Sequence, residues 1–312
     1  MDYLYSLQCF REKAPDIINI IFVIISEAVV YVGPLFPVVI YLCVDKNKGA
    51  LYGFNLIITD TINNLLKITA CVYRPWVRDS RIIPAKEIST TSSGYSFPSG
   101  HTAAATAVYG SAIMWKKNNK ILVIIMVAMI ALTGFARNYL GCHTLLDVCA
   151  SVIETILIMY IISLVAKVIE KNPNYDLWIF IGLIIFSIVA TIFALMKSYP
   201  MDYDAQGNLL VEPILMQKDT FGSLGMLVAW AISWFCERRF INFSIEGTTK
   251  EKVIRATIAA VIFALLYLVI MKFLVQGLDI RLGAFLKRFV SVLAVAGIYP
   301  FVLKKLQDKR RN

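Results

Sequence analysis

Only two histidines, His101 and His143, occur in the 312 residues, and charged side chains make up no more than 17% of them. No carboxylate cluster stands at metal-ligand spacing, so a metal-free chemistry is the simplest reading and no cofactor is implied. The six cysteines (Cys9, Cys43, Cys71, Cys142, Cys149 and Cys236) are scattered without a C-x-x-C pair. That excludes a disulfide framework or a zinc site as an organising principle. Most fall in or beside apolar runs, where a thiol behaves as a small hydrophobe. The first sixteen residues lack the basic start, short apolar core and small-residue cleavage site of a removed signal peptide, so none is expected. No repeat of 20–50 residues and no low-complexity tract interrupts the chain.

What is abundant is apolar. The chain is 58% hydrophobic, with a mean hydropathy of +0.69. Its apolar runs are Ile17–Val44, Ala50–Tyr73, Thr102–Trp115, Ile121–Phe135, Leu146–Val165, Leu177–Met196, Phe221–Phe235, Ala256–Val275 and Ala284–Leu303. Runs of this length approach the thickness of a bilayer core, and backbone groups in lipid must be paired within the segment. The expected fold is therefore all-α, a polytopic transmembrane helix bundle of about nine spans. Residues 1–16 read as an N-terminal interfacial segment, with Leu4, Leu7 and Phe10 toward one side. Residues 17–170 form a core that carries the motifs described next, and residues 171–312 form a C-terminal transmembrane extension.

The net charge of +10 invites a nucleic-acid reading, but its distribution does not support one. The hydrophilic connections alternate between two sides carrying 17 and 14 Lys plus Arg. Lys67, Arg74 and Arg137 on the poorer side belong to motifs; without them that side holds 11. The positive-inside rule then makes the richer side, which includes the C-terminus, cytoplasmic and turns the motif loops to the extracytoplasmic side. The bilayer is thus an expected partner, and nucleic acid is not.

Three elements recur on that extracytoplasmic side. They are Lys67 with Arg74-Pro75 (KITACVYRP), Pro98-Ser99-Gly100-His101, and Arg137, His143 and Asp147 (RNYLGCHTLLD). Both histidines lie inside them. Against average residue frequencies, all three in order on one face arise by chance in roughly one chain in a million. Two arginines and a lysine suit a tetrahedral dianion, the arginine forks binding oxygens in pairs. Ser99-Gly100-His101 opens a helix whose free N–H groups and positive end favour an anion. His143 and Asp147 are four apart and share a helix face, so the carboxylate is expected to hold Nδ1–H and free Nε2 for attack. His101 is expected to protonate the leaving oxygen and later to activate water.

These residues resemble the type 2 phosphatidic acid phosphatase superfamily, with its K-x6-RP, PSGH and SR-x5-H-x3-D pattern. The resemblance implies a membrane phosphatase with a phosphohistidine intermediate. In it His143 is the nucleophile, Asp147 its partner and His101 the acid and base, and Lys67, Arg74, Ser99, Gly100 and Arg137 bind the substrate phosphate. Ala136 stands where the family usually has serine. The span count and basic tail are similar to the glucose-6-phosphatase and sphingosine-phosphate phosphatase branch, as are Asp60 and Asn63, expected to position Lys67 from the same helical face. The substrate is then a phosphorylated lipid, an isoprenyl diphosphate or another phosphate ester; a sugar phosphate, transfer to an acceptor alcohol, or anion binding without chemistry are the alternatives. Glu27 and Glu154 sit inside spans, where an acid is costly. Arg78 and Arg81 widen the positive funnel or simply meet solvent, and Trp76, Tyr95 and Phe97 lie where an entrance would form.

Overall fold

A computed structural model describes residues 1–86 and 94–311, and every regular element among them is helical. In chain order these are α1 (Asp2–Lys13), α2 (Asp16–Val32), α3 (Leu35–Cys43), α4 (Lys46–Ala70), α5 (Pro75–Arg78), α6 (Gly100–Trp115) and α7 (Lys120–Tyr139). They continue with α8 (Leu145–Lys171), α9 (Tyr175–Met196), α10 (Pro213–Cys236), α11 (Thr249–Ala264), α12 (Met271–Leu274), α13 (Ile280–Leu293) and α14 (Tyr299–Arg311). Short π-helical stretches follow α10, α11 and α13.

All nine apolar runs are helical, as expected for segments that must pair their own backbone in lipid. By length and apolar composition alone, fewer than nine of them qualify as crossings among the described residues. Among the described residues, five stretches are long and apolar enough to cross: α7, α8, α9, Thr249–Leu274 and Ile280–Arg310. A sixth is added if α2 and α3 form one bent crossing. The runs that fall short lie in α4, α6 and α10. The reason is chemical: α4 carries Asp60, Asn63, Asn64 and Lys67, and α6 has 16 residues and opens on the PSGH motif. Polarity needed for a site lowers the very hydropathy by which a span is recognised.

The chain divides into two compact units. The first comprises residues 1–34, 62–159 and 197–216, and it contains all three motifs. Its aromatic centre is Tyr139, fully buried at the end of α7, with its ring 4.4 Å from Phe22 and 6.3 Å from Phe10. Ala85, Leu140, Cys142 and Trp76 pack around it. α1 is fastened to the same place: Arg11 donates to the carbonyls of Tyr139 (3.1 Å) and Ile83 (2.6 Å), and the Tyr3 hydroxyl accepts from Leu145 N (2.6 Å). The buried face of α1 is Leu4, Gln8 and Arg11, whereas Phe10 of the expected face is 58% exposed.

α7 ends on Gly141, whose φ of +77° is the left-handed conformation that terminates a helix and that a side chain disfavours. A Cβ there would also lie 3.3 Å from Arg11 Nη1. Gly141→Ala is therefore expected to cost about 1–2 kcal/mol, read as a lowered thermal midpoint of the detergent-solubilised protein.

The second unit comprises residues 35–61, 160–196 and 217–312. Tyr41, Phe54, Trp230, Trp234 and Phe243 form its aromatic centre, and Gly53 leaves no room for a Cβ against the Trp230 ring. Lys46 pairs with Glu237 at 2.7 Å and Arg239 with Asp176 at 2.5 Å. Asp60 belongs to this unit and faces Arg288 at 3.5 Å. With Lys218, Tyr267 and Lys287, Arg288 lines a cavity of about 370 Å³.

Candidate active site

The first motif turns on the end of α4. Cys71 adopts a left-handed φ of +49° and donates to Lys67 O at 3.0 Å, which turns the chain toward Arg74. Lys67 Nζ donates to Asn63 Oδ1 at 2.7 Å and to the Pro98 carbonyl of the second motif. Asn63 in turn donates to Glu154 Oε2 on α8 at 3.2 Å. Asn63, one of the expected pair, thus contacts the lysine directly. Asn63, four residues before Lys67, is its neighbour on the helix surface, and Asp60 stands about one turn further back.

The second motif opens α6 with Ser99 as N-cap. Its hydroxyl faces Thr102 N at 3.5 Å and Thr102 Oγ1 at 2.9 Å, and its N–H donates to Asp147 O at 3.2 Å. The hydroxyl of Ser99 therefore caps the helix. What the helix start offers an anion is its first-turn N–H groups. A Cβ on Gly100 would stand 3.6 Å from Lys67 Nζ, filling the space in front of the ammonium.

In the third motif Arg137 is fully buried. Its Nη1 donates to Ser26 Oγ at 2.7 Å and lies 3.3 Å from Glu27 Oε1. Its carbonyl accepts from both Cys142 N (3.2 Å) and His143 N (3.3 Å), closing the R-x5-H segment into a ring. Asn138 Nδ2 donates to His143 O at 3.1 Å and Arg74 Nη1 to Cys142 O at 2.9 Å. His143 precedes α8 and is not on its first turn, so the shared helix face expected of His143 and Asp147 is replaced by a cap. Thr144 N donates to Asp147 Oδ2 at 2.7 Å, and Asp147 N faces Thr144 Oγ1 at 3.3 Å. This is a reciprocal capping box with aspartate in the usual place of glutamate.

His143 Nε2 lies 2.8 Å from Arg74 Nη1. Arginine can only donate, so Nε2 accepts and the imidazole proton of the neutral ring resides on Nδ1. Burial first, then the positive charges of Arg74, Arg137, Lys67 and His101, push the His143 imidazole well below its usual range. The ring is therefore neutral at physiological pH. Burial brings the Arg74 guanidinium down to about 10, still protonated at neutral pH.

Nδ1 stands 3.6 Å from Asp147 Oδ2, beyond hydrogen-bond range. Ser96 Oγ lies between them, 3.4 Å from Nδ1 and donating to Oδ2 at 2.6 Å. The direct histidine–aspartate bond expected from spacing is replaced by a serine-bridged contact. Ser96→Ala removes the bridge inside a fully buried site. A loss of about 1–3 kcal/mol is expected, or roughly 5-fold to 100-fold in kcat with little change in KM. Phosphate release under saturating substrate measures it.

Sequence reasoning missed Ser96, Ser26 and Asn138, because none belongs to a spaced pattern. It singled out Glu27 and Glu154 as acids inside spans; they meet His101 and Arg137 in one case and Asn63 in the other. Ala136 is fully buried. Among the described residues no three His, Cys, Asp or Glu side chains converge in metal-ligand fashion. What converges is cationic: Lys67, Arg74 and Arg137 around one neutral imidazole, an arrangement suited to an oxyanion of high charge.

Comparison with known families agrees with that chemistry. Residues 48–171 match the PAP2 superfamily, and residues 221–311 match the transmembrane extension of PAP2 superfamily phosphatases. The chain belongs to the PAP2 superfamily. It is an integral membrane protein of a phosphatase family, and the matched core carries all three motifs. Searches of curated proteins and of solved structures found no significant match.

Proposed function

We propose that this PAP2 protein hydrolyses a membrane-presented phosphate ester, a phosphorylated lipid or isoprenyl diphosphate, through a phosphohistidine on His143. The observation that carries this reading is the Arg74–His143 contact, which marks Nε2 as the unprotonated nitrogen in a cluster of three cations. Lys67, Arg74, Arg137 and the first turn of α6, opened by Ser99 and Gly100, hold the phosphoryl oxygens. When phosphate enters, the Arg74 N–H turns from Nε2 to an oxygen and the nitrogen lone pair is released.

In the first step the Nε2–P bond forms as the bond from phosphorus to the leaving oxygen breaks. His101 gives that oxygen its proton. Ser96 and Asp147 stabilise the Nδ1–H of a ring that becomes positive as phosphorus bonds. In the second step water gives a proton to His101 and attacks phosphorus, the P–N bond breaks, and His143 returns to its neutral form. The cations act most strongly on the charge of the transition state, where positioning and electrostatics supply nearly all the catalysis. Charge distribution supports an extracytoplasmic site with the C-terminus in the cytoplasm.

A radiolabelled phosphatidate or isoprenyl diphosphate, mixed with purified protein and quenched in denaturant, tests the reading. The expected result is an alkali-stable, acid-labile label on the peptide containing His143. No label, or label elsewhere, overturns it. Glucose 6-phosphate in the same assay is expected to turn over poorly, and preference for it would replace the lipid reading with a sugar-phosphate one.

A further inference from the structure

α2 places one carboxylate inside the candidate site. Glu27 Oε1 lies 3.2 Å from His101 Nε2 and 3.3 Å from Arg137 Nη1. The Glu27–His101 pair meets the distance of an ion pair without the full angular requirement of a hydrogen bond. The neighbouring Ser26 Oγ accepts from the same Nη1 at 2.7 Å. Two adjacent residues of α2 thus reach two different motifs. A carboxylate in an apolar span is costly to maintain, and it is retained where it meets a cation or a proton-transfer group.

The pairing is specific to one ring nitrogen. With Nε2 turned to Glu27, Nδ1 is the nitrogen of His101 left to face a substrate. We infer that Glu27 is a positioning residue for proton transfer, holding His101 through Nε2 so that Nδ1–H is presented to the leaving oxygen. Glu27 stabilises the imidazolium before the proton is given up. As the P–O bond breaks, the Nδ1 proton passes to the leaving oxygen and His101 becomes neutral; Glu27 remains a carboxylate throughout. Water returns a proton to Nδ1 in the second step. The contact to Arg137 keeps the carboxylate from turning away. This inference rests on the phosphohistidine reading above.

The need for a proton depends on the leaving group, which separates this role from a structural one. Glu27→Gln keeps the shape but removes the charge. First-turnover release from p-nitrophenyl phosphate, whose phenolate leaves without a proton, is expected to change less than threefold. First-turnover release from an alkyl phosphate, which needs the proton, is expected to fall on the order of 100-fold. Glu27→Asp is expected to recover part of the alkyl rate. Ser26→Ala, which alters only the anchoring of Arg137, is expected to slow both substrates alike. Equal losses on both substrates in Glu27→Gln, as from displaced Arg137 alone, overturn the inference, as does an unchanged alkyl rate. If Glu27→Gln does not fold, the Glu27→Asp ratio of alkyl to aryl rates decides: a ratio equal to that of the native protein overturns it. Absence of a His143-linked label in the native protein would instead overturn the underlying mechanism, so the two failures are distinguishable.

Discussion

His143→Ala is expected to lower phosphate release on the order of ten-thousandfold, with the residual rate set by binding and electrostatics alone. The magnitude follows from what is removed. The ring is the only imidazole whose Nε2 accepts from Arg74, and burial together with the surrounding cations keeps that nitrogen unprotonated. No neighbour replaces it, since His101 is turned toward Glu27. Substrate binding is expected to persist because Lys67, Arg74 and Arg137 remain. The measurement is paired: steady-state phosphate release together with equilibrium binding of a non-hydrolysable phosphonate. Retention of more than about a hundredth of the native rate would remove His143 from the nucleophile's place.

Arg137→Ala is the second large effect, because it strikes stability and activity together. The side chain is fully buried, against Ser26 and Glu27. Breaking a buried pair by removing one partner costs about 3–5 kcal/mol, since the remaining charge loses its compensation. Loss of an arginine fork on the phosphoryl group is expected to reduce kcat/KM by roughly 100-fold to 1000-fold. Arg137→Lys keeps the charge and is expected to recover stability more than activity, because lysine lacks the planar fork. A double-mutant cycle checks the stability share: Arg137→Ala combined with Glu27→Gln should be less destabilised than the sum of the two single changes. Strict additivity in thermal or denaturant unfolding would show that the 3.3 Å contact carries no energy.

Much of this was legible in the sequence, for reasons that can be traced. Apolar runs near the bilayer thickness had to be helices, and all nine are. The motif residues could be assembled because two histidines, two arginines and a lysine fall at spacings that rarely coincide. Contacts that depend on helices distant in sequence could not be read. Glu27 precedes His101 by 74 positions and Arg137 by 110, and no periodicity links them. Ser96 was hidden for another reason. It lies between His143 and Asp147 only because His143 falls before α8, a boundary that residue spacing does not locate. Asp60 and Asn63 looked equivalent on a helical projection, which ignores rise along the axis; Asn63 reaches Lys67 and Asp60 meets Arg288. The apolar signal of a crossing is weakest where the candidate site dilutes it, in α4 and α6.

The ring closed on the carbonyl of Arg137 has a meaning for how such a motif can change over time. Five residues separate the arginine from the histidine because that number lets Cys142 N and His143 N return to one oxygen while Gly141 makes the turn. The interval acts as a gauge: it sets how far the imidazole stands from the guanidinium on the same loop. The closure itself is made by backbone atoms, while Gly141 supplies the turn and the Asn138 side chain adds a second tie to His143 O. An insertion or deletion of one residue keeps both chemical groups yet separates them. The loop should therefore be held hardest in its length, which no change of side chain can restore.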